Sequence, residues 1–327
     1  MMIENLTQIC SGTLLQKPLV TSITGFTCDS EKVVRGSAFF SLHTTQGEIK
    51  HALENGAYAI IYDGVITSED NEVAWIKVDD ITKAMIRLMR FEMERKDINA
   101  VLLSVLQFDM LSSFRLMFDA YLTPKSVEEL FSLFSGFEAE SYLFSSDAEL
   151  LEQISPQFDV AKNTAQATIL QSNSIFRTSF VCGENFFKDF EIPSLFIHEF
   201  AALVAFFDEK ALPFKVDGIR GHFEPVFVNT ALQPRPFGTT NQALIIETDE
   251  RLFEKEAEWI QKYVSDEYLL ILAPHNAKIS LKCKRYTSAK SLQTIGITSL
   301  RYVLILGDKE QIIAALEEPK QAQGTLF

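Results

Sequence analysis

The 327-residue chain is poor in cysteine and in positive charge, and several short catalytic signatures are missing from it. Its four cysteines (Cys10, Cys28, Cys182, Cys283) lie far apart, with no CxxC pair and no histidine at ligand spacing. That pattern excludes a disulfide framework and a cysteine-based zinc site, and buried free thiols are expected instead. No apolar run approaches the roughly 18 residues of a membrane span. The opening MMIENLTQIC lacks a basic stretch followed by an apolar one. The expectation is a cytoplasmic protein without a membrane span. GxGxxG and GxSxG are absent, which leaves a nicotinamide cofactor and a hydrolase nucleophile elbow without a motif. Lys plus Arg is 30 against 44 for Asp plus Glu, a formal charge of −14. A surface that acidic repels phosphate backbones and anionic lipid, so general nucleic-acid binding is not expected.

What is present describes a folded α/β chain. Apolar residues are 47% and charged ones 23%, ordinary values for a packed protein. Charge is unevenly spread: residues 91–242 hold 11 basic and 21 acidic groups, whereas residues 243–327 hold 11 and 12. Phenylalanine is common at 27 residues and concentrated between positions 91 and 240, which predicts a Phe-rich core.

In the first third, TSITGFTCDS reads as a strand entering a turn, and SAFFSL (37–42) as a second strand. A helix follows and closes at Gly56. AYAIIYD (57–63) and AWIKVDD (74–80) read as buried strands, and Ile81, Met85, Leu88, Met89 and Met93 stand at helical spacing. In the middle third, AVLLSVL (100–106) reads as a buried parallel strand, and a helix is expected over Phe108–Leu122. Ser126 with Glu129 opens another helix, SYLFSSD and AELLEQI give strand then helix, and residues 167–183 suggest two antiparallel strands. A largely apolar helix covers 193–207, and LQPRPFGTTN (232–241) is the linker candidate. In the last third, ALIIETD, YLLILAP and YVLILGD alternate with helices, as in a doubly wound α/β layer.

The stretch ITGFTCDSEKVVRGSAFFSL (23–42), continued by HALENGAYAIIYD (51–63), resembles the N-terminal domain of the Mur ligases, in particular MurE and MurF. That family carries roughly DSRxVxPGDLFxAL and then a helix ending AxxxGAxAVV. Asp29–Ser30, Lys32–Val33, Gly36, Phe39–Leu42 and Ala52…Gly56–Ala57…Ile60–Ile61 stand at matching positions. The resemblance implies a three-domain α/β architecture. Its parts would be a small N-terminal UDP-binding-type domain (1–90), a reduced central ATPase-like domain (91–238) and a Rossmann-like C-terminal domain (239–327) with a tail at 319–327. In the family the N-terminal domain holds the UDP end of a UDP-MurNAc-peptide. Carried over by position, Cys28 and Ser30 at a strand end, with His43, Thr44, Thr45 and Gln46 in the next loop, would face a uridine. This chain departs from the pattern there, because the loop ending Asp-Gly-His is shortened to HTTQGE.

The family's central domain opens with a strand, a phosphate loop GTNGKT/S and a helix. Here the strand AVLLSVL is followed by QFDMLSS, with no Gly, no Lys and an acidic Asp109, and no Gly-Lys pair occurs in the chain. A phosphate loop works through glycine-permitted backbone N–H groups and a lysine, and both are missing. GIRGHFEP (218–225) resembles the family's GRxE segment, and IPSLFIHEFAALVAFF its LPGxHNxxNALAA helix with the His-Asn pair replaced. Arg220, Gly221 and His222 beside Glu224 form a candidate anion contact; the pairs Asp79–Asp80, Glu128–Glu129 and Glu317–Glu318 read as solvated charge.

The resemblance therefore implies a Mur-ligase-like pseudoenzyme of bacterial type, with no catalytic residues, no metal and no cofactor. It would serve as a binding or regulatory module near peptidoglycan precursor metabolism, with a UDP-linked cell-wall precursor as ligand. One alternative is an active ATP-dependent amide ligase with an altered nucleotide site. Another is a protein-docking module. The tail ends QGTLF, and Gln323, Leu326 and Phe327 resemble the short Gln-x-x-Leu-Phe peptides that dock on the bacterial sliding clamp.

Overall fold

The computed structural model describes residues 1–317 except 16–17, 67–69, 71, 163–165, 237–238 and 296–298. The expected tail contacts Gln323, Leu326 and Phe327 lie outside the described residues. By compactness the chain divides into two units, one of Met1–Phe108 with Leu116–Ala161, the other of Asp109–Arg115 with the chain from Lys162 onward.

The first unit begins with α1 (Ile3–Ile9), β1 (Thr13–Leu14), β2 (Gly25–Thr27), β3 (Ser37–Phe40) and α2 (Gln46–Glu54). It continues through β4 (Ala59–Tyr62), β5 (Ala74–Lys77) and α3 (Ile81–Arg95). These strands form one sheet in the order β1-β5-β4-β3-β2, parallel except for the edge strand β1. β3 and β4 are buried at every position because both faces of the sheet are covered. The two-residue period sorts their side chains. Phe39, Ile60 and Trp75 stand in register on one face, packed with Ile49 and Ala52 of α2. Phe40, Ile61 and Ile76 face the opposite way, toward Ile3 and Leu6 of α1 and Met85, Leu88 and Met89 of α3. Gly36 fixes the turn into β3: its φ is +94°, and a Cβ there would meet Thr24 Oγ1 at 2.8 Å.

The chain then enters a second parallel sheet through β6 (Asn99–Leu102) and continues with α4 (Val105–Leu111) and β7 (Arg115–Leu116). β8 (Ala120–Leu122), α5 (Val127–Phe134), β9 (Tyr142–Ser145), α6 (Ala148–Ile154) and β10 (Asp159–Val160) follow. The strand order is β10-β6-β9-β8, parallel throughout. α3 serves both sheets, since its buried face also meets Phe131 of α5 and Leu151 of α6 in one apolar cluster. Helix starts are fixed by short polar side chains: Asp80 caps α3, Ser126 caps α5 and Asp147 caps α6, each accepting from a backbone amide three residues on. The helix expected over Phe108–Leu122 is not found. α4 ends at Leu111 and residues 115–122 hold two short strands, because Phe114 is buried among Phe200, Phe207 and Phe214 instead of continuing a helix.

The second unit contains an antiparallel sheet of β11 (Ala167–Ser174), β12 (Arg177–Cys182) and β13 (Asn185–Phe190), followed by α7 (Ile197–Glu209) and the short β14 (Phe214–Lys215). The expected phenylalanine core is here: Phe180 stacks on Phe187 at 4.9 Å between ring centres and meets Phe200 of α7 edge-on at 5.6 Å. A second sheet is built from β15 (Pro225–Val228), β16 (Gln242–Glu247), β17 (Leu269–Pro274), β18 (Lys284–Tyr286) and β19 (Tyr302–Leu306). Its order is β15-β16-β19-β17-β18, with only β15 antiparallel, and it is accompanied by α8 (Glu250–Ile260) and α9 (Lys309–Glu317). Asp249 caps α8. The linker candidate partly folds back on this sheet, Pro234 bridging Val228. All four cysteines are free; Cys10, Cys28 and Cys182 are buried and Cys283 is half-buried.

Candidate functional site

Three places in the fold gather the groups on which function would depend. The first is the carboxyl edge of the N-terminal sheet, where open α/β sheets commonly take ligands. The loops after β2, β3 and β4 meet this edge, and with them Cys28, Ser30 and the segment His43–Gln46. Cys28 is turned inward. Its Sγ donates to the Glu128 carbonyl at 3.2 Å and lies 3.2 Å from Ser132 Oγ, and burial pushes the thiol up. Ser30 faces α2, its hydroxyl 3.4 Å from His51 Nδ1 and its carbonyl accepting from Asn55 at 3.0 Å. Thr45 caps α2 by accepting from the Glu48 amide, Gln46 begins the helix, and His43 and Gln46 are exposed.

Thr44 is the unusual member of that set. Its backbone is left-handed at φ +52°, its amide donates to Ser41 Oγ at 3.1 Å, and its own hydroxyl is buried without a hydrogen-bond partner among the described residues. Gly64 lets the loop after β4 approach it, since a Cβ at Gly64 would stand 2.8 Å from the Thr44 methyl. The edge thus brings together Ser41, Thr44, Thr45 and Glu48, while no hydrogen bond joins Cys28 or Ser30 to the 43–46 segment among the described residues.

The second place is the junction of β6 and α4, where the resemblance would put a phosphate loop. The chain passes from strand to helix through Leu103 and Ser104 alone. Ser104 Oγ accepts from the Gln107 amide at 3.2 Å, and Gln107 Oε1 accepts from the Ser104 amide at 2.9 Å. This reciprocal cap takes up two of the amides at the helix start, those of Ser104 and Gln107. Gln107 is buried and its amide group also reaches the Ala161 carbonyl at 3.4 Å. QFDML therefore lies inside α4, whose start is upstream of the expected Phe108, and the signal that could have located it was Ser104-x-x-Gln107.

The third place is a charge cluster of the second unit that sequence reasoning did not assemble. His222 donates from Nε2 to Asp109 at 2.9 Å and from Nδ1 to Glu247 at 3.0 Å. Glu247 ends β16, and its other oxygen accepts from the Thr248 and Asp249 amides at 2.7 and 2.9 Å, closing the turn into α8. Burial works against a charged imidazole, yet the hydrogen bonds and negative charges of Asp109 and Glu247 outweigh it and push His222 up to about 10. Glu256 of α8 lies beside Glu247, fully buried, and by distance and angle its carboxyl oxygens meet no donor among the described residues. Burial, and then the charge of Glu247, hold it well above the usual carboxylate range. With both ring nitrogens donating, the imidazolium has no lone pair for general-base work. The cluster acts as a clamp joining the end of α4, the 218–224 segment and the β16–α8 turn. Among the described residues no group of three or more His, Cys, Asp or Glu has metal-holding geometry, and no helix is long and apolar enough to cross a membrane.

No protein-family model and no curated protein matches this sequence. Solved structures do match its fold. MurF from Acinetobacter baumannii superposes with a TM-score of 0.60 at 11% identity, over 96% of this chain and 97% of that one. MurF from Thermotoga maritima, in complex with ADP, gives 0.57 at 10% identity over 90% and 97%. A further A. baumannii structure is that of a UDP-N-acetylmuramoylalanyl-D-glutamyl-2,6-diaminopimelate–D-alanyl-D-alanyl ligase. It gives a TM-score of 0.56 at 12% identity, over 96% and 97%. At such identities the likeness establishes architecture: the chain has the mixed α/β fold of the Mur ligases along nearly its whole length.

Proposed function

We propose that the chain is a non-catalytic Mur-ligase-like protein, a binding or regulatory module connected with peptidoglycan precursors. The observation that carries this reading is the Ser104–Gln107 cap, which occupies the helix start that a phosphate loop would leave open. Without glycine-permitted amides or a lysine at that start, an acyl-phosphate route to an amide bond lacks its phosphate clamp. In this reading the architecture keeps three parts, residues 1–90, 91–238 and 239–327, and recognition rests with the first. Ser30, His43, Thr45 and Gln46 would supply hydroxyl, imidazole and amide groups to a uridine edge, and Thr44, its hydroxyl buried, would set the shape of the loop through its left-handed backbone. Cys28, committed to α5, would shape that edge without touching the ligand.

A titration of the full chain with UDP-MurNAc tests the reading. A specific ligand raises the melting temperature with the logarithm of its concentration. The expected result is a saturable shift that His43→Ala combined with Gln46→Ala reduces. A wild-type chain indifferent to UDP and UDP-MurNAc overturns the assignment of that edge.

A further inference from the structure

The second unit contains a cleft of about 850 Å³ whose lining does not match the charge of the chain around it. Residues 91–242 carry 21 acidic side chains and 11 basic ones. Four of those basic groups, Arg115, Arg177, Lys215 and Arg220, line this one cleft, with Asp189, Glu191 and Asp217 as its acidic members. Two of the three acids are already engaged: Arg177 donates to Asp189 at 2.9 Å and to Glu191. Arg115, Lys215 and Arg220 are exposed and form no ion pair with any described residue, so three unpaired cations face the single remaining carboxylate, Asp217. Three cations gathered with one free carboxylate on one concave surface, within a segment that is otherwise strongly acidic, make a local positive potential.

The polar groups between them suit an anion as well. Ser113 Oγ accepts from the Arg220 amide at 3.0 Å, which leaves its hydroxyl proton free to donate. Gly221, left-handed at φ +104°, has open space where a Cβ would stand, so a ligand can come close to the backbone. The guanidinium groups of Arg115 and Arg220 offer planar forks that match phosphate oxygens. The volume falls in the range of small-molecule sites.

We propose that this cleft binds a small, multiply charged phosphate compound, held by Arg115, Lys215 and Arg220 with Ser113 as a neutral donor. This site is separate from the uridine edge of the first unit, and either assignment can fail without the other.

Calorimetry and melting curves on the full chain with inorganic pyrophosphate and tripolyphosphate test it. Saturable binding is expected, tighter for tripolyphosphate. The combined variant Arg115→Ala, Lys215→Ala, Arg220→Ala should lose about tenfold in affinity per cation removed. Its melting temperature without ligand should be unchanged, because none of the three side chains has an ion-pair or hydrogen-bond partner among the described residues to lose. A variant with the same charge change elsewhere (Lys77→Ala, Lys255→Ala, Lys282→Ala) should bind as wild type does. The proposal is overturned by a wild type that shows no saturable binding. It is equally overturned if the two triple variants weaken binding alike, which would reduce the effect to net charge.

Discussion

Replacing His222 by alanine removes the positive charge between Asp109 and Glu247, and the cost can be worked from the structure. The fold holds the imidazole proton to about 10, against 6.5 for the free side chain. At about 1.4 kcal/mol per tenfold change in proton affinity, this bounds the contribution at roughly 5 kcal/mol. Asp109's side chain is 45% exposed, so solvent screens its half of the clamp, whereas Glu247's is 2% exposed and its half is not screened. About 3 kcal/mol is the discounted value, in the range for stripping one partner from a buried pair. For a domain of this size that lowers the melting temperature by roughly 6–12 °C. The sign follows from linkage. A proton affinity raised by folding stabilises fully below the unfolded value of 6.5, and the benefit falls away as pH rises toward about 10. Melting curves of wild type and His222→Ala at pH steps from 6.5 to 10 should therefore converge. A difference independent of pH over that range would refute the charge argument and leave only lost packing.

Three other perturbations follow from the same structure. Glu256→Gln should raise the melting temperature at pH 7–8 and leave it near wild type at pH 4–5. A buried acid whose proton affinity is raised by folding destabilises progressively above its unfolded value, and the amide abolishes that cost. Phe131 stands 4.8 Å from the Phe26 ring and 4.6 Å from the Phe40 ring with no exposed surface, so Phe131→Ala should cost about 3–5 kcal/mol in urea unfolding. Gly36→Ala should cost more than about 1 kcal/mol by the same assay, since it places a Cβ against Thr24 Oγ1 in a left-handed turn, whereas Gly47→Ala meets open space and should cost nothing measurable.

Much of the fold was legible because its buried strands are continuous apolar runs and several of its helices begin at Asp or Ser. SAFF, AIIY, LIIE and VLIL all became sheet interiors, and the resemblance at 23–63 led to the architecture that the superpositions support. Periodicity misled where packing overrode it. Phe108–Leu122 has helical spacing, but the burial of Phe114 among three other rings stops the helix at Leu111. β18 (Lys284–Tyr286) was missed because its KRY gives no apolar signal. The His222 clamp was illegible for another reason: its partners stand 113 and 25 residues away, and nothing local distinguishes Asp109 or Glu247 from solvated acids. Glu256 is hidden from pattern reading in the same way, a glutamate on a helix with nothing local to mark it as fully buried. The cap at Ser104–Gln107 was within reach of pattern reading and was obscured by placing the helix start downstream.

The measurement that bears most directly on the proposed function is phosphate release by the full chain supplied with ATP–Mg, a UDP-MurNAc-peptide and a candidate amino acid or dipeptide. With Ser104 and Gln107 closing the start of α4, release should not exceed that of ATP–Mg alone, and no amide product should form while the UDP compound still stabilises the protein. Phosphate release that requires the peptide substrate, accompanied by a new amide bond, would contradict the account and make the chain a ligase with a different phosphate clamp.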